Sequence, residues 1–186
     1  KAIEGGSTVQ RCLDFAQRVA RDFSIPFLFM SYANILYKYG MEPFSDQMKK
    51  INLKGAIVPD LPPEEGKEYT AAMAKNHLAP IYILSPETSN ERMAYISTFA
   101  RGFVYCLARK GVTGKTTSFS TDIADYLKRC RKTTHLPLAV GFGVKDKADV
   151  DFLKGKADIA VLGSQTIRVV EKNGPGATGD FIRSLL

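Results

Sequence analysis

Short apolar runs recur along the chain, and most of them show almost no alternation with polar residues. A short apolar run bounded by turn residues is typical of a buried strand. The absence of polar alternation favours strands that are covered on both faces, and this holds for residues 25–30 in particular. The pattern predicts six strands, at residues 25–30, 55–58, 80–84, 103–108, 137–140 and 159–162.

The segments between these runs have apolar residues at helical spacing. They predict helices at residues 8–21, 42–51, 63–76, 92–99, 121–131, 147–153, 165–172 and 179–186, and a loop at 31–34. Strands that alternate with helices in this way favour right-handed β-α-β units and a parallel sheet. An open doubly wound sheet and a closed (β/α)₈ barrel both fit the alternation, and either fold binds ligands at the carboxyl ends of its strands.

Three of the apolar runs end abruptly in glycine, within residues 103–114, 140–144 and 160–164. Glycine lets the backbone approach a bound group closely. We therefore expect the N–H groups near Gly114, Gly143 and Gly163 to converge on a phosphate, with the hydroxyl groups of Thr113 and Ser164 nearby. Late loops that hold a phosphate beside a short helix favour the barrel. Because six units are too few to close one, we predict an α/β fold of the TIM (β/α)₈ type that is incomplete, with strands 3 to 8 present.

Composition is that of an ordinary globular protein, and we expect residues 1–186 to form one barrel domain. Hydrophobic residues make up 45% and charged residues 24% of the chain. Apolar runs stay short of a membrane span, and the amino-terminal residues 1–10 lack the apolar core of a signal peptide. The odd count of three cysteines favours reduced thiols and a cytoplasmic location.

The net charge of +7 comes from scattered side chains, so we expect no nucleic-acid partner. The densest basic cluster, residues 128–132, falls at the end of a predicted helix, where cations complement the helix dipole.

Six longer runs carry a specific resemblance in order and spacing: IPFLFMSYANILYKYG, GAIVPDLPPEE, APIYILSPETSNERM, RGFVYCLARKGVTG, LPLAVGFGV and AVLGSQTIRVVEKNG. Together they resemble the tryptophan synthase alpha subunit family over nearly the whole chain. The resemblance implies a barrel lyase of tryptophan biosynthesis that cleaves indole-3-glycerol phosphate to indole and glyceraldehyde 3-phosphate. It implies no cofactor and no metal on this chain. It also implies a pyridoxal-phosphate beta subunit as partner in an alpha2beta2 complex.

The resemblance also assigns individual residues. Tyr105 becomes an auxiliary catalytic residue beside the reacting hydroxyl, although a plain core tyrosine is the alternative. The resemblance assigns the substrate phosphate to Gly114, Gly143, Gly163 and Ser164. It assigns the rest of the substrate pocket to Tyr32, Ile83, Thr113, Phe142 and Leu162. It assigns the interface with the beta subunit to Asn34 and Asp60. The family's two catalytic carboxylates lie in an ELGxPFSDPxADGP-like segment that these 186 residues do not contain. The fragment at 43–46 echoes it only by coincidence, so we expect this chain alone to be inactive.

A non-catalytic partner that binds and activates the beta subunit is the main alternative. Indole-3-glycerol phosphate synthase is disfavoured because residues 25–30 offer no catalytic lysine. A nucleotide-binding P-loop at Gly114 is disfavoured because Arg109 stands where the motif needs glycine. Residues 115–118 are more consistent with a lid over the phosphate.

Overall fold

The computed structural model describes residues 6–108, 121–141 and 143–186. Its strands, numbered in chain order, are β1 (Leu28–Met30), β2 (Gly55–Ile57), β3 (Ala79–Leu84), β4 (Val104–Leu107), β5 (Leu138–Gly141) and β6 (Ile159–Ala160). Its helices are α1 (Val9–Asp22), α2 (Ala33–Tyr39), α3 (Met41–Lys50), α4 (Lys67–Lys75), α5 (Asn90–Phe99), α6 (Thr121–Thr133), α7 (Lys147–Leu153), α8 (Ser164–Asn173) and α9 (Thr178–Arg183), with a 3₁₀ turn at Pro175–Ala177. The predicted alternation of strands and helices is confirmed. No helix in these ranges is both long and apolar enough to cross a membrane.

The described residues form two compact units. The first contains residues 6–82 and 99–102, and within it β1 pairs in parallel with β2 and β2 with β3. Phe44 of α3 lies at the centre of its core, edge-on to the rings of Phe29 and Tyr39 at centroid distances of 5.3 Å and 5.6 Å. Helix α4 buries Tyr69, Ala72 and Met73, as its apolar spacing predicts.

Strand β1 differs from its prediction in length and in burial. It covers only Leu28–Met30, and the side chains of Leu28 and Met30 are 37% and 57% exposed. The prediction that this segment is covered on both faces is therefore wrong. Among the described residues β1 pairs only with β2, so it is an edge strand, and apolar composition alone does not distinguish an edge from a centre.

The loop predicted at 31–34 is also wrong in part, because α2 begins at Ala33. Its local N-cap residue, Tyr32, makes no side-chain capping bond. The carboxylate of Asp60 instead accepts a hydrogen bond from the Ala33 N–H group at 2.9 Å. A cap that comes from a distant residue leaves no local signal at the start of the helix.

The second unit contains residues 83–98 and the described residues from 103 onward. Strand β4 pairs in parallel with β5, and β5 with β6. Fully buried side chains in this unit come from β3, α5, β4, α6 and β5, and they include Leu84, Met93, Val104, Cys106, Leu127, Cys130, Leu138 and Val140. Parallel pairing brings the carboxyl ends of β4, β5 and β6 to one edge of the sheet, where the predicted phosphate ligands follow.

Candidate phosphate and substrate site

Two of the predicted phosphate loops follow neighbouring strands. Val140 pairs with Ala160, and the N–H group of Val161 donates to the Val140 carbonyl oxygen at 2.8 Å. Gly143 follows β5 and Gly163 follows β6, so both lie beyond the carboxyl ends of adjacent strands. Gly143 has φ +144°, a conformation that other residues rarely adopt. The third glycine, Gly114, lies outside the described residues.

The amino terminus of α8 has the features of an anion site. Gly163 is the N-cap of the helix and provides no side-chain capping bond. Gly163 and Ser164 are both exposed, and a Cβ placed on Gly163 would meet no described atom within 4 Å. The first N–H groups of a helix lack intrahelical partners and carry partial positive charge. This geometry leaves room for a phosphate against the helix end.

Two carboxylates that sequence reasoning missed hold the turn after Gly143. The side chain of Asp146 accepts from the Asp149 N–H group at 3.0 Å, and Asp149 accepts from the Lys145 N–H group at 3.0 Å. Asp149 is 8% exposed, and its burial raises the pKa of its carboxyl group. The two aspartates at N-cap and N3 spacing are the sequence signal that identifies this arrangement.

Tyr105 lies on β4, next to β5, with its side chain 8% exposed. Its hydroxyl group packs against the backbone of Gly141, the last residue of β5. Burial raises the pKa of Tyr105 to about 12. The phenol is therefore protonated at neutral pH, and it can donate a hydrogen bond but cannot act as a base.

The other predicted pocket residues are dispersed. Ile83 on β3 and Leu162 beside Gly163 are half-buried, and both belong to the second unit. Tyr32 belongs to the first unit, where it is the N-cap of α2 and is 62% exposed. Thr113 and Phe142 lie outside the described residues.

The two predicted interface residues come together in the first unit. Asp60 bonds to Ala33, the residue that directly precedes Asn34, and the side chains of Asp60 and Asn34 are both exposed. They thus share one surface at the start of α2. For metal binding, the described ranges contain no group of three or more His, Cys, Asp or Glu side chains that could hold an ion.

A family model described as tryptophan synthase alpha chain matches residues 1–183. The chain belongs to this family. It is 63% identical over 184 residues to the tryptophan synthase alpha chain of Desulforapulum autotrophicum, covering 99% of this chain and 73% of that relative. It is 58% identical to the tryptophan synthase alpha chain of Syntrophotalea carbinolica, with the same coverage of 99% and 73%.

Solved structures give the same result for the fold. A protein from Aquifex aeolicus superimposes with a TM-score of 0.88 at 28% identity, covering 99% of this chain and 70% of the other. A mutant tryptophan synthase alpha-subunit from Pyrococcus furiosus superimposes with a TM-score of 0.86 at 27% identity, covering 99% and 76%. The predicted fold class, an incomplete TIM barrel with about six β/α units, is confirmed.

The family also confirms the predicted function, a lyase of the tryptophan synthase alpha type in tryptophan biosynthesis. The alternative of a purely non-catalytic partner is not favoured by relatives that match over the whole chain. The individual site residues remain predictions.

Proposed function

We propose that this chain binds indole-3-glycerol phosphate at the carboxyl ends of its strands, with the phosphate held by Gly143, Gly163 and Ser164. The observation that carries the proposal is the exposed, uncapped start of α8, where Gly163 leaves open space for a ligand. A phosphate there would accept hydrogen bonds from backbone N–H groups and from the Ser164 hydroxyl group.

Cleavage to indole and glyceraldehyde 3-phosphate needs a proton for the indole ring carbon and a base for a glycerol hydroxyl group. Tyr105 supports the reaction as a neutral donor, because its pKa is raised to about 12 by burial. It would hydrogen-bond a glycerol oxygen and orient it. Since residues 1–186 do not include the family's carboxylate segment, we propose that they bind the substrate without cleaving it. The reaction requires no cofactor or metal on this chain.

The proposed partner is a pyridoxal-phosphate beta subunit, which receives the indole in an alpha2beta2 complex. Asn34 and Asp60 support this proposal because they share one exposed surface at the start of α2. We place the complex in the cytoplasm, where the three cysteines of this chain remain reduced.

Titration calorimetry with glycerol 3-phosphate tests the phosphate site. We expect the parent chain to bind it and G163A to bind about tenfold more weakly, because the added methyl group would enter the open space beside Gly163 and keep the phosphate from one charge-assisted hydrogen bond of about 1.5 kcal/mol. G176A is the matched control, because Gly176 also has open space around it but lies in the 3₁₀ turn. Equal affinity of G163A and G176A would contradict the proposal.

A second assay separates binding from catalysis. The chain is mixed with a beta subunit and indole-3-glycerol phosphate, and both indole release and beta-subunit turnover of indole are measured. We expect binding without indole release from residues 1–186. Indole release by this chain alone would contradict the assignment of cleavage to carboxylates outside it.

A further inference from the structure

Two side chains of α6 hold the segment that follows β3. Tyr126 and Arg129 are three residues apart and therefore lie on one face of the helix. The buried Tyr126 hydroxyl group donates to the carbonyl oxygen of Leu84, the last residue of β3, at 2.8 Å. Arg129 Nε donates to Asn90 Oδ1 at 2.8 Å. These bonds fix both the end of β3 and the start of α5.

Arg129 also holds the residues in between, 85–89, which we name the β3–α5 loop. One terminal nitrogen of Arg129 donates to the Pro86 carbonyl oxygen at 3.1 Å, and the other donates to the Thr88 carbonyl oxygen. Inside the loop the hydroxyl groups of Ser85 and Thr88 lie 3.0 Å apart. A planar guanidinium group is suited to such an array, since its donors are fixed relative to one another.

The β3–α5 loop lies at the end of the sheet where ligands are expected to bind. The loop begins at the carboxyl end of β3, and barrel folds build their active sites from loops at that end of the strands. The last strand residues before it are the half-buried Ile83 and the buried Leu84, both apolar. The proposed phosphate donors follow β5 and β6 instead. A substrate with one anionic end and one aromatic end would place its ring toward the apolar end of β3.

We propose that Arg129 is a positioning residue that fixes the β3–α5 loop as the wall of the site that selects the indole ring. The proposal rests on the function proposed above and adds a residue that determines ring specificity. Arg129 does not touch substrate. It acts through the loop, because its three donors hold Pro86, Thr88 and Asn90 in place beside the end of β3.

The same helix provides a matched control in Arg131. Its guanidinium group donates to the Leu136 carbonyl oxygen at 3.1 Å and forms an ion pair with Asp158. These partners lie before β5 and β6, at the amino ends of the strands. In barrel folds that edge contributes stability rather than ligand contacts. Loss of Arg131 should therefore lower stability without changing which ligand is preferred.

The test measures two dissociation constants on the full 186-residue chain. Glycerol 3-phosphate reports the phosphate end, and indole-3-propanol phosphate reports phosphate and ring together. For R129M we expect the dissociation constant of indole-3-propanol phosphate to rise about fivefold to tenfold, and that of glycerol 3-phosphate to change less than twofold. R129K should show a similar ratio, because an ammonium group cannot replace the planar array of donors. R131M should leave the ratio of the two constants unchanged.

Each outcome distinguishes the two proposals. Binding of both ligands with an unchanged ratio in R129M and R129K would overturn the positioning role and leave the phosphate site intact. Failure of the parent chain to bind either ligand would overturn the proposed function and this inference with it. Circular dichroism and thermal melts are recorded for every variant, and R129K decides the question if R129M does not fold.

Discussion

The side chain of Tyr105 occupies the space that a side chain on Gly141 would need. A Cβ placed on Gly141 would lie 1.9 Å from the Tyr105 hydroxyl oxygen and 2.6 Å from Cζ. Gly141 ends β5 and Tyr105 belongs to the neighbouring β4, so the two residues meet across one strand pair. The absence of a side chain at position 141 is what allows the tyrosine ring to lie along the carboxyl end of the sheet.

G141A should therefore displace the tyrosine ring. We expect a loss of about 1–3 kcal/mol in the free energy of unfolding, the usual cost of overpacking a core. Urea denaturation measures it for G141A, Y105A and the double variant. Because the clash needs both groups, G141A should cost less in the Y105A background than in the parent. Strictly additive effects would show that the two residues do not interact.

The raised pKa of Tyr105 predicts an alkaline titration. Burial raises it to about 12, from about 10 for an unperturbed tyrosine. The folded chain favours the neutral phenol, so the stability from this group is present below about pH 10 and lost as the pH rises toward 12. The difference in absorbance at 295 nm between the parent chain and Y105F follows the phenolate. We expect a midpoint near 12 when folded, and near 10 in urea. The same titration midpoint in the folded chain and in urea would contradict the burial of the Tyr105 hydroxyl group.

Asp158 connects the amino ends of two strands. Its carboxylate accepts from the Leu138 N–H group at 2.7 Å and pairs with Arg131. The hydrogen bond from the Leu138 N–H group is the larger cause and the bond from Arg131 the second, and both lower the pKa of Asp158. The stability that they contribute is therefore present above about pH 4. It is lost as the pH falls through the lowered pKa of the folded chain. D158N should lower the free energy of unfolding by only about 1 kcal/mol at pH 7, because the ion pair is half exposed and water screens it.

Urea denaturation at pH 7 and pH 3 checks this prediction for Asp158. The difference between the parent chain and D158N should shrink at pH 3, because that pH lies below the unperturbed aspartate pKa of about 4 and the unfolded chain then binds a proton at Asp158. D180N is the control, because Asp180 pairs with Arg183 on the surface and its removal should change the unfolding free energy by less than about 0.5 kcal/mol. If the unfolding free energies of the parent chain and D158N differ as much at pH 3 as at pH 7, the negative charge of Asp158 does not stabilise the fold.

The apolar runs and the helical spacing predicted every strand and most helices, because burial imposes a periodicity on consecutive residues. Thr8 and Ser89 cap α1 and α5 through N–H groups three residues further on, so these caps are also local features of the chain. The glycine-ended runs located Gly143 and Gly163 after adjacent strands for the same local reason.

Contacts between distant residues escaped prediction. The basic cluster at 128–132 was consistent with a simple complement to the helix dipole, yet Arg129 bonds to the Pro86 carbonyl 43 residues away. Asp60 caps a helix 27 residues before it. The exposure of Leu28 was missed because an edge strand and a central strand share the same composition. Pairing and long-range hydrogen bonds depend on the tertiary fold, and no window of consecutive residues contains them.

Asp60 caps α2 by accepting a hydrogen bond from the Ala33 N–H group. D60A removes the acceptor of the Ala33 N–H group and should lower stability by about 1 kcal/mol, as the loss of an N-cap does. D60N keeps a side-chain oxygen in the same place and should cost less than half as much. Hydrogen exchange of the Ala33 amide locates the effect, and it should become faster in D60A than in D60N.

The same pair of variants tests the surface proposed to contact the beta subunit. Asn34 follows Ala33 directly, so fraying of α2 in D60A would disorder it, whereas D60N retains the helix start and removes only the charge. If the partner recognises the ordered helix, D60A should weaken beta-subunit binding several-fold more than D60N, as measured by calorimetry. If it recognises the carboxylate of Asp60, both variants should lose affinity equally. Undiminished binding by both would remove Asp60 and the start of α2 from the interface.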